Sequence, residues 1–443
     1  MKLSKVYSCF MVGVFLVAFL SVIGLSQADT VTVAVGGDPM DLVMTPDGKY
    51  VYVATGKNVV VIDTSTNKLL TSIKTGGISE GVAVTSDGQY VYVANREPPT
   101  PPGASASRGS VSIISTVTNA VTSTMVVGAD PRAVVIAPNG EYAYVLVNEF
   151  VAEGSLLNTF GVVSVVSTAT AEVVATVTVG KESGALAITP NGEYVYVTNG
   201  DGTISVLDTA SNIVTAKITV GQVNFSGLAF TPDGKYIYIS TGLDGVLVMS
   251  TESNAVTTTI TGDFVGLNGV AVAPDGKYAY VTCGLRNNLI LVINTATNVV
   301  EYTLSGGVRP YGIVIAPNGQ YAYVTNLVST IEKNSFESTS AGTVVVISTA
   351  KNVGVSDSSD SDGGVSDSSD SDGGVSGFSF VFDSFYLLLI TCVLVVVALL
   401  GMVVFFVRRG RKRGVGSAGL GVGTSGGLAE ICLSNLSGCC FCF

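Results

Sequence analysis

One phrase recurs seven times along this chain and limits its fold more than any other feature. A tight turn of the Pro-Asp-Gly-Lys type runs into Tyr-x-Tyr-Val, or Tyr-x-Tyr-Ile in one unit, with its first tyrosine at Tyr50, Tyr90, Tyr142, Tyr194, Tyr236, Tyr278 and Tyr321. The spacings are 40, 52, 52, 42, 42 and 43 residues. A unit of that length cannot bury its apolar face alone, so such units stack, and a period of about 40–50 residues rich in short strands belongs to radial blades. Gly184–Val220 shows the content of one unit. Ala185–Ile188 reads as a short apolar strand and Pro190-Asn191-Gly192 as a turn; Tyr194–Val197, Ile204–Leu207 and Val214–Val220 supply three more strands.

The two ends of the array complement each other. The last unit stops at Lys351-Asn352, where every other unit continues into an outer strand ending in glycine. The missing strand stands at the other end, as Thr30–Gly36. An N-terminal strand that completes the last blade closes a circle and removes an exposed sheet edge. The expected fold is therefore all-β: a seven-bladed β-propeller of four-stranded antiparallel blades over residues 29–352, closed by its N-terminal strand.

Tyr196-Val197-Thr198-Asn199 and Tyr323-Val324-Thr325-Asn326, with the near variants Tyr92-Val93-Ala94-Asn95 and Tyr280-Val281-Thr282-Cys283, resemble the signature of the YVTN β-propeller repeats of archaeal surface-layer proteins. The turns Asp208-Thr209-Ala210-Ser211-Asn212 and Asn294-Thr295-Ala296-Thr297-Asn298 are similar to that family too. The resemblance covers roughly residues 30–352 and implies display of a propeller at the cell surface. It implies no ligand, because propellers host unrelated functions.

The flanks set the expected topology. Residues 1–28 have the form of a secretory signal peptide: Lys2 and Lys5, an uncharged run Val6–Leu25, then small-x-small Ser26-Gln27-Ala28. An uncleaved anchor is the alternative. A C-terminal transmembrane helix is expected over 385–407, where Tyr386–Val407 carries no charge and spans about 33 Å as a helix. Arg408, Arg409, Arg411, Lys412 and Arg413 then place the tail, 408–443, on the cytoplasmic side. Residues 353–384 form an acidic Ser/Asp/Gly linker in which VSDSSDSDGG occurs twice. Its Asp-Ser-Asp-Gly stretches resemble fragments of calcium loops without the closing glutamate, so weak Ca²⁺ association is the most they suggest. No other cofactor is expected.

Between Asp29 and Phe380 stand 31 acidic and 15 basic residues, a net of −16. Such a field disfavours nucleic acid and favours solubility or cationic partners. Cys283 is the single cysteine of that region, so no internal disulfide can staple it. The chain has no histidine, the usual base at neutral pH, and an enzyme is not expected. The alternative is an exported lactonase- or dehydrogenase-like propeller working through Asp41 and Glu80 at the channel mouth.

Three units carry insertions between their second and third strands: Arg96–Gly109, Glu149–Gly161 and Leu327–Gly342. These are expected as long loops crowding one side of one face, a place suited to recognition of a protein or cell-envelope partner or to self-association. The same face holds the start of every inner strand. The residues ten before each motif tyrosine, Met40, Glu80, Arg132, Gly184, Ser226, Asn268 and Tyr311, should ring the channel mouth. Asp41 adds a carboxylate where the other units have Gly or Ala. Asp41, Glu80, Arg132, Asn268 and Tyr311 are the candidate ligand-binding residues, and Asn224 in Asn224-Phe225-Ser226 is a candidate glycosylation site in an expected surface turn.

Overall fold

A computed structural model describes residues 30–97, 108–153, 156–221, 224–242, 245–327 and 342–349. The expected signal peptide, linker, membrane span and tail lie outside the described residues, as do 98–107 and 328–341 of two insertions. Among the described residues no helix is long and apolar enough to cross a membrane.

Each Tyr-x-Tyr-Val segment forms the second strand of a unit. Val51, Tyr52, Val53 and Ala54 are all fully buried, as are their counterparts Val195 and Val197 or Ile237 and Ile239. Burial on both faces explains why these strands read as unbroken apolar runs. Outer strands behave differently: Ile213–Thr219 alternates between exposed and half-buried positions, one face packed and one wet. The result is an all-β array of antiparallel sheets, five of them four-stranded and one seven-stranded. The larger sheet arises because Lys68–Val84 runs on without a break. Lys68–Lys74 pairs with Asn58–Asp63 of its own unit, and Ile78–Val84 pairs with Val91–Arg96 of the next.

The sheets pack face to face, in chain order. Inner strands touch successively: Asp41–Met44 with Lys68–Val84, that strand with Asp130–Ile136, and onward through Leu186–Ile188, Gly227–Phe230, Leu267–Val272 and Pro310–Ile315, which returns to Asp41–Met44. The inter-strand turns repeat the same order. Gly88 lies against Pro46, Gly140 against Ser86, Gly192 against Pro138, Gly234 against Pro190, Gly276 against Pro232, Gly319 against Pro274, and Gly48 against Pro317.

The repeat motif wires neighbouring units together. The buried tyrosine hydroxyl of one unit donates to the turn asparagine of the next: Tyr52 to Asn119 Oδ1 at 2.6 Å, Tyr196 to Asn254 at 2.7 Å, Tyr238 to Asn298 at 2.5 Å and Tyr323 to Asn67 at 2.9 Å. Those asparagines have φ between 50° and 55°. Asparagine suits both tasks, since it tolerates the left-handed region and offers a side-chain acceptor. The Tyr323–Asn67 bond joins the last unit to the first.

The closing strand is where the sequence places it. Val31–Ala34 pairs antiparallel with Thr343–Val346, with Val31 opposite Val346 and Ala34 opposite Thr343. Val33 and Val35 are buried in a core cluster shared with Leu42, Val51, Tyr323 and Val344. One expectation needs correction. Glu149–Gly161 is not a loop, because Tyr142–Glu153 and Leu156–Ser167 stay paired in register to Glu153 opposite Leu156. Its β-branched and aromatic residues extend the hairpin in place of coil.

Candidate functional site

The starts of the inner strands converge on a central cavity of about 440 Å³. All seven mouth positions read from the sequence line it, and Asp41 lines it beside Met40. Its two sides differ. Gly184, Ser226 and Asn268 make one side small and uncharged, whereas Asp41, Glu80, Arg132 and Tyr311 make the other side charged and aromatic.

Charge on that wall is organised by Glu80. Its Oε2 lies 3.3 Å from the Arg132 guanidinium. Its Oε1 lies 2.5 Å from Arg96 Nε, an ion pair off hydrogen-bond alignment. Arg132 also grips Asp130 Oδ2, at 2.8 Å from Nε and 2.7 Å from its terminal nitrogen. Burial works against the Arg132 charge, but the Glu80 and Asp130 carboxylates outweigh it and hold its pKa above the ordinary value. With one oxygen toward each arginine, Glu80 is not disposed to share a divalent cation with Asp41.

Asp41 is held another way. Its Oδ1 accepts the backbone N–H of Leu42 at 2.8 Å, and its Oδ2 accepts that of Val82, on the neighbouring inner strand, at 2.9 Å. Burial pushes its pKa up to about 6, against the lowering effect of those two N–H groups. Tyr311 faces the same cluster: burial first, then the Glu80 and Asp41 charges, raise its pKa, with Arg132 opposing them.

The remaining candidates have structural duties. Asn268 Nδ2 donates to the carbonyls of Gly266 at 3.0 Å and Pro310 at 3.2 Å, so it ties down the backbone beside the mouth. Asn224 is exposed, in the segment leading into Gly227–Phe230. Two members of the charged wall, Arg96 and Asp130, escaped the sequence reading. Asp130 had a signal, because it precedes Arg132 by two residues and strand alternation puts both on one face. Arg96 had none beyond following Asn95 at the end of a motif strand.

These antiparallel sheets, arranged around a common cavity, define a β-propeller-like protein. A solved chain titled "Kuenenia stuttgartiensis Hydrazine Synthase" is similar to it, with a TM-score of 0.57 and 21% identity over 71% of this chain and 97% of that one. At that identity the likeness concerns the fold alone. No family model and no curated protein sequence matches the chain.

Proposed function

We propose that this is an exported, membrane-anchored, seven-bladed propeller of the YVTN surface-layer type. It displays its mouth face to a protein or cell-envelope partner, further copies of itself included. The seven-blade count is supported by seven apolar clusters among the described residues, each shared by consecutive units and one shared by the last and the first. Export and anchoring rest on the flanking segments and the acidic balance of the sequence.

The observation that carries the display reading is the extended hairpin. Beyond Val147 opposite Val162, the position that matches Asn199 opposite Thr203 and Asn326 opposite Thr343 in two other units, six more residue pairs continue to Glu153 opposite Leu156. At about 3.4 Å per residue they project roughly 20 Å past the blade. Phe150 on this ribbon is 45% exposed. An isolated two-stranded ribbon is marginal in water, so docking on a partner would stabilise both the ribbon and its apolar residue.

Sedimentation velocity of residues 30–349 over a wide concentration range tests this. Intact protein should assemble with rising concentration or bind envelope material, and replacing 149–160 with a two-residue turn should weaken that association at least about tenfold while leaving the fold intact. Equal association by the intact and trimmed proteins would remove the ribbon from the account.

A further inference from the structure

We propose that the mouth cavity binds a small molecule carrying an ammonium group, seated beside Asp41 and Tyr311. The inference goes beyond the display reading and uses none of the ribbon's residues.

Charge balance in the cavity points that way. Two carboxylates, Glu80 and Asp41, and two guanidiniums, Arg96 and Arg132, line the cavity, and Asp130, off the lining, takes up Arg132 as a third carboxylate. Both guanidiniums are committed to Glu80 and Asp130. Asp41 receives only backbone N–H groups, from Leu42 and Val82, and burial is what chiefly acts on it. One negative charge is thus left without a cation in a confined space, a costly arrangement that a ligand cation would relieve.

The repeat shows that Asp41 departs from the packing rule at its position. The equivalent residues are Gly81, Ala133, Ala185, Gly227, Gly269 and Gly312, because the next inner strand passes close by. A Cβ on Gly81 would lie 2.7 Å from Ala133 Cα, and one on Gly269 would lie 2.5 Å from the Tyr311 carbonyl oxygen. A small residue is the simple packing solution at this position, and one unit of seven replaces it with a carboxylate facing the shared cavity.

The surroundings select the ligand's chemistry. Tyr311, 37% exposed, offers an aromatic face that attracts cations. Gly184 and Ser226 leave room opposite, and about 440 Å³ falls within the range of small-molecule sites. A carboxylate or phosphate compound would meet an unbalanced negative charge and two guanidiniums already engaged. A neutral compound would leave Asp41 as it is.

Titration calorimetry on the purified full-length chain tests the proposal, using glucosamine, N-acetylglucosamine and glucuronate as cationic, neutral and anionic probes of similar shape. At pH 7.0, where glucosamine is mostly protonated and Asp41 mostly ionised, glucosamine should bind with a Kd at or below about 1 mM, and the other two at least about tenfold more weakly. At pH 5 only about a tenth of Asp41 is ionised, so glucosamine affinity should fall about tenfold. Asp41→Asn should abolish the preference for glucosamine and its pH dependence while preserving the circular dichroism spectrum. Three results would each overturn the proposal: no saturable glucosamine binding, equal or tighter binding of glucuronate, or an Asp41→Asn protein that binds like the wild type. Should the variant fail to fold, the wild-type pH series decides, and a flat profile rejects the site.

Discussion

Removing residues 30–36 should abolish cooperative folding of the propeller at ordinary temperatures. That segment supplies the outer strand beside Thr343–Ser348 and buries Val33 and Val35 in the core shared by the first and last units. Two buried valines contribute about 1.5–3 kcal/mol each, and the lost ladder bonds about 1 kcal/mol apiece. The sum is on the order of 5 kcal/mol or more, comparable with the whole stability of many domains. The deletion also bares the edge of Thr343–Ser348, a template for aggregation. Thermal melts and light scattering of residues 37–349 against 30–349 read both effects. A permuted chain gives the control. Because Val31 faces Val346, residues 30–36 appended after Asn352 need only the turn Thr349–Asn352 to re-form the pair, and that chain should melt close to the wild type. An unchanged melt for the deletion would mean that the circle is not held by this strand.

Asp41→Asn should change the pH dependence of stability by about 3 kcal/mol. The folded protein keeps the Asp41 proton to about pH 6, while the unfolded chain releases it near 3.8. Between those values the native state binds more protons than the unfolded state, so the wild type loses stability as pH rises through the window. A displacement of about two pH units corresponds to about 3 kcal/mol, fully expressed above pH 6 and absent below 3.8. Asparagine does not titrate. It offers one acceptor to two N–H groups, a loss of about 1 kcal/mol that is the same at every pH. The variant should therefore be slightly weaker than the wild type at pH 3.5 and stronger by about 2 kcal/mol at pH 8. Denaturant melts at both values check the slope, and parallel curves for the two proteins would show that Asp41 is not a buried carboxylate in the fold.

Periodicity made most of the scaffold legible in the sequence. The Tyr-x-Tyr-Val runs located the doubly covered strands, and the mismatch between Lys351-Asn352 and Thr30–Gly36 located the closure. Counting ten residues back from each tyrosine found one lining position at the mouth in every unit, because register in a repeat is rigid. What counting could not show was how polar groups pair. The bond from Tyr323 to Asn67 spans most of the chain, and the Arg96–Glu80–Arg132–Asp130 chain depends on side-chain directions across two neighbouring units. The Glu149–Gly161 insertion was misjudged for a related reason. Its strand-forming residues pair only with each other, off the period that reveals the blades.

Display of the propeller outside a membrane with the tail inside can be tested directly through the distribution of cysteine. Cys283 is buried, and Lys74 lies exposed on an outer strand. In intact cells expressing full-length Lys74→Cys, a membrane-impermeant maleimide should label position 74, while Cys432, Cys439, Cys440 and Cys442 should react only after lysis. Protection of position 74 until lysis, or labelling of the tail in intact cells, would contradict it.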